Sequence, residues 1–415
     1  MAAALPSPSA LMPKKTLTDI DLHHKRVLVR VDFNVPLEEK DGKMVVTDLT
    51  RIQETLPTLR ALLAQQAKII LCSHLGRPKG KPCPKQTLAP VVPVLSELVG
   101  LPVQFSSQTV GDEAKAKALA LQPGEVLLLE NTRFEAGEEA NDPALSRALA
   151  ELAEVFVNDA FGSAHRAHSS TAGVADHLPA VCGLLMQKEL AYLHDELEAP
   201  QRPFVVILGG AKVSDKIGVI QRLLEKADTV IIGGGMAYTF RKLVEGITLG
   251  KSLYKPEWEP IAQAALDKAR ERGVKLLIPV DAMITDAFDF DAKKLGNTRY
   301  TAVGEGIPEG WEGVDIGPES VKLFSAAIAE ARTVIWNGPM GVFEIPTAAK
   351  GTFDIAEAVA ANGSAKTIIG GGDSVKAVKK AKLGDKMTFI STGGGASLEL
   401  LEGKELPGVS CLQEK

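Results

Sequence analysis

Short apolar runs alternate with helical patterns along this chain, and this alternation constrains its fold more than any other feature. Most of the runs are continuous stretches of Val, Ile and Leu rather than an alternation of apolar and polar residues. Strands buried on both faces have this composition, which is typical of parallel sheets covered by helices. We predict strands at Arg26–Asp32, Lys68–Ser73, Glu125–Glu130, Val155–Asn158, Phe204–Gly209, Thr229–Ile232, Val274–Val280, Thr333–Trp336, Thr367–Ile369 and Met387–Ser391.

Helical periodicity fills the intervals, for example at Arg51–Gln65, Glu257–Arg272 and Thr352–Ala361. The strand–helix–strand order implies right-handed crossovers and an α/β fold with doubly wound, Rossmann-like parallel sheets. One sheet with so many strands would be unusual, so we expect two such domains. Leu184–Glu198 is predicted to be a single helix that joins them, because two prolines follow it closely.

Composition changes across this predicted hinge helix. All seven histidines lie at or before His194, whereas the three glycine triplets all lie after it. The first residues lack the basic start and long apolar stretch of a signal peptide, so we interpret them as a disordered extension, with translation starting at Met1 or Met12. The predicted division is an extension at 1–13, a first domain at 14–183, a hinge helix at 184–200 and a second domain at 201–399, with 400–415 returning to the first.

The charge balance excludes several classes of protein. A net charge of −5 is not that of a general nucleic-acid binder, so any bound anion must meet a local basic patch. No apolar run approaches the roughly 18 residues that span a bilayer. The four cysteines are scattered without a CxxC pair, which argues against a disulfide scaffold or zinc ribbon and favours a cytoplasmic location.

Polar and basic residues follow the predicted strands of the first half. Ligands of open α/β sheets bind at the carboxyl ends of strands, so these residues are candidates for one anion site. Arginine meets phosphate or carboxylate through two parallel hydrogen bonds, and Asp32 and Asn34 suit hydroxyl groups, so a phosphorylated hydroxy acid fits the set. Two other interpretations are that each arginine is a surface ion-pair partner, or that His165 and His168 bind a metal. The anion candidates are Arg51, His74, Arg77, Arg133 and Arg166.

Glycine-rich turns mark the second half. Gly209–Lys216 follows a strand and opens a helix, and Lys212 and Lys216 lie four residues apart on one face of it. The three glycine triplets suggest a mononucleotide lying across strand ends, with Asp373 positioned for Mg²⁺ or, alternatively, acting as a helix N-cap. The sequence has no GxxxxGK followed by Ser or Thr, and no GxGxxG that opens a helix, so neither a P-loop nor a dinucleotide fingerprint is present.

Several of these segments together resemble the phosphoglycerate kinase family. They are RVDFNVP (30–36), SHLGRP (73–78), ENTRF (130–134), AHRAHSS (164–170), GGAKVSDKI (209–217), WNGPMGVFE (336–344), GGGDS (370–374) and STGGGASLELLEGKELPGV (391–409). The resemblance implies reversible phosphoryl transfer between 1,3-bisphosphoglycerate and ADP, with Mg²⁺ on the nucleotide. It also implies a cytoplasmic monomer whose two hinged domains close over the two ligands.

The resemblance also implies a role for each matching residue. Arg51 and Lys216 would clamp the transferring group, with N–H groups at Gly372, Gly394 and Gly395. The phosphoglycerate would contact Asp32, Phe33, Asn34, Arg51, His74, Leu75, Gly76, Arg77, Arg133 and Arg166. The nucleotide would contact Gly210, Ala211, Lys212, Lys216, Gly234, Gly235, Asn337, Pro339, Glu344, Gly371, Gly372, Asp373 and Ser374, and Asp373 would face the metal.

Two rival functions remain at this point. A nicotinamide-dependent dehydrogenase could also have two α/β domains, but the dinucleotide fingerprint is absent. A non-catalytic binding protein for a phosphorylated ligand would need no pair of cationic groups such as Arg51 and Lys216. Formation of ATP from ADP and 1,3-bisphosphoglycerate separates all three functions.

Overall fold

The computed structural model describes residues 13–415, which form two units, each around a parallel six-stranded sheet. The first unit runs to Leu190 and takes in Glu405–Lys415, and the second is Ala191–Lys404. The predicted α/β class with parallel sheets is therefore confirmed. The expected extension at 1–13, with its alternative start at Met12, lies outside the described residues apart from Pro13.

The first sheet has the strand order β5-β6-β4-β1-β7-β8, and its central strands are buried, as their apolar runs predict. Two of its strands, β5 and β8, are short and were not predicted. Its strands and the hairpin β2–β3 are β1 (Arg26–Arg30), β2 (Leu37–Lys40), β3 (Lys43–Val46), β4 (Lys68–Cys72), β5 (Val103–Phe105), β6 (Val126–Leu128), β7 (Val155–Asn158) and β8 (Ala180–Cys182). Its helices are α1 (Thr50–Ala64), α2 (Val91–Val99), α3 (Asp112–Ala120), α4 (Pro143–Ala150) and α5 (Leu184–Leu190).

The second sheet has the order β11-β10-β9-β17-β18-β19, and beside it lies a smaller antiparallel sheet, β15-β12-β16. The antiparallel strands were not predicted. The strands are β9 (Phe204–Leu208), β10 (Thr229–Ile232), β11 (Lys275–Leu277), β12 (Ala282–Thr285), β13 (Phe288–Asp289), β14 (Lys294–Leu295), β15 (Thr298–Tyr300), β16 (Glu312–Ile316), β17 (Thr333–Asn337), β18 (Lys366–Gly370) and β19 (Phe389–Ile390). The helices are α6 (Glu196–Glu198), α7 (Ile217–Leu223), α8 (Ala237–Glu245), α9 (Glu259–Arg272), α10 (Pro318–Glu330), α11 (Lys350–Ala361), α12 (Gly372–Lys380) and α13 (Gly395–Leu401).

The segment predicted as one hinge helix is helical but not uniform. Between α5 and α6, Ala191–Asp195 forms a π-helix, in which each hydrogen bond spans one residue more than in an α-helix. The first unit ends at Leu190, so the change of hydrogen-bond pattern coincides with the boundary between the units. Periodicity at 3.6 residues did not reveal this widened turn.

The segment Glu405–Lys415 belongs to the first unit, so the return begins five residues after the predicted position 400. Its helix α14 (Pro407–Ser410) packs beside the loop after β7. The Gly408 N–H donates to the Ala164 carbonyl at 2.8 Å, and Asn158 Nδ2 donates to the Gly408 carbonyl at 2.9 Å. A Cβ on Gly408 would lie 2.9 Å from the Ala164 Cα, so the approach depends on glycine.

Within the part of the chain that the structure describes, no helix combines the length and the apolar character needed to cross a membrane.

Candidate active site

The carboxyl end of β1 brings an acidic and a basic candidate together. Asp32 follows the strand and pairs with Arg51 Nη1 on the first turn of α1. Burial by itself would raise the pKa of Asp32, but the positive charges around it, Arg51 and Arg30 among them, hold that pKa below its usual value. Asp32 therefore stays ionised and orients Arg51, whose side chain is 37% exposed and remains available to a ligand.

Arg30 is a further basic residue of this region, which the sequence analysis did not select. It is 1% exposed, and its guanidinium donates to Ser170 Oγ at 2.8 Å and lies 3.1 Å from His74 Nδ1. Ser170 in turn donates to the buried Glu138, so the charge is linked to a carboxylate through a hydroxyl. The available signal was an arginine at the end of the strand RVLVR, directly before Asp32, because a charged side chain is rarely buried without a partner.

His74 lies beside this arginine and is almost fully buried. Burial moves the pKa of His74 well below its usual value, and the nearby cations Arg30, Arg133 and Arg51 add to this effect, while Asp32 opposes it. His74 is therefore neutral at physiological pH. A neutral imidazole can accept a hydrogen bond from Arg30 at Nδ1 and donate one from Nε2 to an anion.

Arg133 and Arg166 extend the same positive region. Arg133 donates from Nη1 to the Gly76 carbonyl at 2.7 Å, and the Gly76 N–H donates to Asn34 Oδ1 at 2.9 Å, so these hydrogen bonds connect three of the strand-end loops. Burial lowers the pKa of Arg133, with Arg166 and Arg30 adding to the effect. The structure therefore brings together Asp32, Asn34, Arg51, His74, Gly76, Arg133 and Arg166, while Arg77 is exposed on the same loop as His74.

Two other predicted contacts, Phe33 and Leu75, place their side chains in the hydrophobic core. Their N–H groups are already bonded, Phe33 to Ser73 Oγ at 2.8 Å and Leu75 to Asn131 Oδ1 at 3.1 Å. The alternative interpretation made His165 and His168 a metal-binding pair. Burial lowers the pKa of His168 to about 4, and neighbouring cations lower it further. No group of three potential metal ligands occurs among residues 13–415.

In the second unit, a cleft of about 240 Å³ forms where the glycine turns meet. Lys216 Nζ reaches into it and donates to Asn337 Oδ1, while Asn337 Nδ2 is buried and has no hydrogen-bond partner among the described residues. Helices α12 and α13 begin at this cleft, so their first N–H groups face it. The predicted residues that line it are Gly210, Lys216, Asn337, Pro339, Gly371, Gly372, Asp373, Ser374, Gly394 and Gly395.

The charge of Lys216 is unusually easy to remove. Burial lowers its pKa to about 8, and the carboxylates of Asp373, Glu402 and Asp215 only partly offset this. A lysine that lacks a close anion and lines a cleft is suited to an anionic ligand, which would restore the missing countercharge. Lys212, by contrast, is exposed.

Close backbone contacts explain two of the glycines. A Cβ on Gly209 would lie 1.9 Å from the Pro339 carbonyl oxygen, and one on Gly338 would lie 2.2 Å from the Gly209 carbonyl oxygen. Gly338 also has φ +100°, a conformation that residues with a side chain rarely adopt. Ser374 fastens the neighbouring turn, since its hydroxyl donates to the Gly370 carbonyl and accepts from the Gly338 N–H.

Asp373 is not the N-cap of α12, because Gly371 occupies that position and Asp373 lies in the first turn. Its carboxylate is 57% exposed, lines the cleft and pairs with Lys376 at 3.2 Å. Mg²⁺ in kinases is held by one or two carboxylates together with substrate phosphates and water. A single exposed carboxylate beside a phosphate-sized cleft fits that mode of binding.

A second compartment of about 360 Å³ shares Gly210, Pro339 and Asp373 with the cleft. It also includes the predicted residues Ala211, Gly234, Gly235 and Glu344. The sequence analysis missed its outer wall, which is formed by Tyr238, Leu253, Phe288, Phe290 and Glu312. Tyr238 lies on α8 and Leu253 in the loop after it, whereas Phe288, Phe290 and Glu312 belong to the antiparallel insertion, residues 282–316, which carries no recognised motif. An apolar compartment joined to a phosphate-sized cleft has the shape of a nucleotide site.

Comparisons with known proteins agree with this geometry. A family model described as phosphoglycerate kinase matches residues 17–404. The chain is 57% identical to a phosphoglycerate kinase of Chloroflexus aggregans over 97% of this chain and 100% of that protein, and 57% identical to one of Acidobacterium capsulatum with the same coverage. Among solved structures it is similar to phosphoglycerate kinase from Coxiella burnetii, at 40% identity and a TM-score of 0.86 over 96% of this chain and 98% of that one.

Proposed function

Since this chain belongs to the phosphoglycerate kinase family, it is an enzyme of ATP-dependent phosphoryl transfer in glycolysis, and we propose a mechanism built on the two sites described above. In the direction that forms ATP, a terminal oxygen of ADP attacks the phosphorus of the acyl phosphate of 1,3-bisphosphoglycerate. The bond from that phosphorus to the carboxyl oxygen breaks, and 3-phosphoglycerate leaves as a carboxylate. No proton needs to be moved at neutral pH, so the reaction needs no general base.

The basic set of the first unit binds the phosphoglycerate. Arg133, Arg166 and the neutral His74 bind the phosphate that is not transferred. Asp32 and Asn34 accept hydrogen bonds from the hydroxyl group of the phosphoglycerate. Arg51, held by Asp32, meets charge on the oxygens of the transferring group. The support for this assignment is that neighbouring charges of the set shift the pKa values of Asp32, His74 and Arg133, so these groups lie close together.

The nucleotide occupies the second unit, with its base and ribose in the apolar compartment and its phosphates in the cleft. Lys216, the Asn337 amide and the N–H groups at the starts of α12 and α13 bind the phosphate oxygens. Such donors are fixed before the reaction, so they stabilise developing charge without reorganisation. Mg²⁺ bound near Asp373 would neutralise charge shared by the nucleotide phosphates.

One observation carries this proposal: Lys216 and the unpaired Asn337 amide lie together in a cleft lined by helix starts. Because the two ligands bind to different units, transfer requires the domains to close over them, which also keeps water from the acyl phosphate. Small-angle scattering should show the smallest radius of gyration when both ligands are bound, and full compaction with nucleotide alone would contradict the closure step.

We further propose that the enzyme acts as a cytoplasmic monomer with no nucleic-acid partner.

The decisive experiment is a coupled assay that measures ATP formed from 1,3-bisphosphoglycerate and Mg-ADP. Wild-type protein should produce ATP, and Lys216→Met should lose on the order of 10²–10³ in kcat while keeping a native circular dichroism spectrum. A wild-type protein that binds both ligands but forms no ATP would refute the proposal. Normal turnover by Lys216→Met would be consistent with the proposed reaction but would show that Lys216 does not contribute to catalysis.

A further inference from the structure

The apolar compartment has an end that lies away from the phosphate cleft. Residues shared by the two spaces, Gly210, Pro339 and Asp373, mark where the phosphates of a nucleotide enter. Phe288 and Phe290 line the compartment but not the cleft, and their rings meet edge to face with centroids 6.2 Å apart. A base therefore occupies the aromatic end, since flat aromatic surfaces favour contact with the face of a base.

The carboxylates of Asp373, Glu344 and Glu312 line the compartment, and Glu312 is the one that belongs to the antiparallel sheet. Glu312 is the first residue of β16 and pairs with Thr285, directly before the hairpin that carries Phe288. The next residue, Gly313, faces the other way, because a Cβ there would collide with the Tyr238 hydroxyl at 1.8 Å. Glu312 pairs with Thr285, and Gly313 pairs with Ile284, so Glu312 extends from the face opposite Gly313. Met283 shares the Thr285 face of β12 and packs with Val314, Phe288 and Val342 on that side.

The carboxylate of Glu312 has no hydrogen-bond or ion-pair partner within residues 13–415 and is half-buried. Burial raises the pKa of Glu312, and the positive charge of Lys251 opposes this change. A carboxyl group retains an acceptor oxygen in either protonation state. An acceptor that loses water without gaining a partner is destabilising, so a ligand that donates to it should be preferred.

We propose that Glu312 determines base specificity by accepting a hydrogen bond from the exocyclic 6-amino group of adenine. This inference rests on the proposed function, which makes an adenine nucleotide the occupant of the compartment. The 6-amino group carries the N–H donors of the adenine base, whereas its ring nitrogens accept. Hypoxanthine has a carbonyl oxygen at the same position, and this oxygen would face the Glu312 carboxylate with repulsion instead of a hydrogen bond.

The test compares ATP with two analogues as phosphoryl donors to 3-phosphoglycerate: purine riboside triphosphate, which lacks the amino group, and inosine triphosphate. Wild-type protein should favour ATP over each analogue by roughly tenfold or more in kcat/KM, the usual effect of one hydrogen bond to a charged group. Glu312→Leu should lower this preference to about twofold, chiefly by raising KM for ATP. Glu312→Gln retains one acceptor oxygen and should keep part of the preference.

Glu309→Leu is the matched control, because Glu309 is an exposed glutamate three residues earlier that does not line the compartment. It should keep the wild-type preference. The proposal is overturned if wild-type protein uses all three nucleotides equally well, or if Glu312→Leu and Glu309→Leu discriminate alike. The comparison of analogues on wild-type protein decides the question even if Glu312→Leu does not fold. Failure of wild-type protein to use ATP at all would instead refute the proposed function.

Discussion

Replacing Lys216 with methionine should lower kcat by on the order of 10²–10³ and, at neutral pH, make the folded protein more stable. Burial lowers the pKa of this lysine from its usual 10.5 to about 8. At 1.36 kcal/mol per pKa unit, the cationic side chain therefore costs the folded state about 3 kcal/mol at pH 7. Methionine has a similar length and no charge, so it removes this cost but also removes the hydrogen bond to Asn337, worth about 1 kcal/mol. The expected net gain is about 2 kcal/mol.

The dependence on pH has a definite sign. The unfolded chain keeps the Lys216 proton up to about pH 10.5, whereas the folded protein releases it near pH 8. Stability of the wild-type protein therefore rises with pH between these values, because the unfolded state binds more protons there. The advantage of Lys216→Met should be constant below pH 8 and should shrink by roughly 2 kcal/mol between pH 7 and pH 9.5.

Urea unfolding at several pH values, followed by circular dichroism, measures this difference directly. Lys212→Met provides the control, since Lys212 is an exposed lysine four residues earlier and should show no such pH-dependent gain. If the difference in the free energy of unfolding between wild-type protein and Lys216→Met stays constant from pH 7 to pH 9.5, the folded state does not lower the pKa of Lys216. The same result would contradict the argument that Lys216 is suited to an anionic ligand because it lacks a close countercharge.

Three other substitutions test the site. Arg51→Ala should lower kcat by on the order of 10²–10³, whereas Arg60→Ala, an exposed arginine on the same helix, should not; a raised KM with normal kcat would make Arg51 a binding residue only. Gly338→Ala should lower the free energy of unfolding by about 2 kcal/mol or more, because its Cβ would overlap the Gly209 carbonyl at a positive φ, and an unchanged urea midpoint would contradict this. Asp373→Asn should shift the Mg²⁺ dependence of turnover to higher concentration, and an unshifted titration would exclude Asp373 from metal binding.

The sequence predicts the parallel sheets well because a strand buried on both faces is mostly apolar, as in β9, whose sequence is FVVIL, and in the three central residues of β1. It does not predict β5 or β8, which are three residues long and owe their position to neighbouring strands. The antiparallel insertion was also missed, since its short strands are partly exposed and lack a strong period.

The residues of the candidate site also fall into those that could be predicted from local sequence and those that could not. Residues in glycine turns and strand-end motifs, such as Lys216 and Asp32, could be predicted because local geometry limits which residues fit there. Glu312 and Phe288 could not, because they reach the compartment only through tertiary packing of the insertion. Arg30 lies between these cases: its sequence signal was present, but its partners Ser170 and Glu138 are distant in the chain.

The packing of Glu405–Lys415 against the Ala164 loop also concerns how the protein is made. The sheet of the first unit leaves the ribosome early, yet the segment that supports the Ala164 loop follows only after all of Ala191–Lys404 has been synthesised. At about 5–20 residues per second this is a wait of roughly ten to forty seconds. During that time the neighbouring Arg166 lacks the support of α14, so we expect a nascent chain stalled before Glu405 to resist proteolysis at β1 but to be cleaved readily near Arg166. Equal protection at both places would show that the first unit folds fully without Glu405–Lys415. Folding of the Ala164 loop would then not have to wait for synthesis of the C-terminal segment.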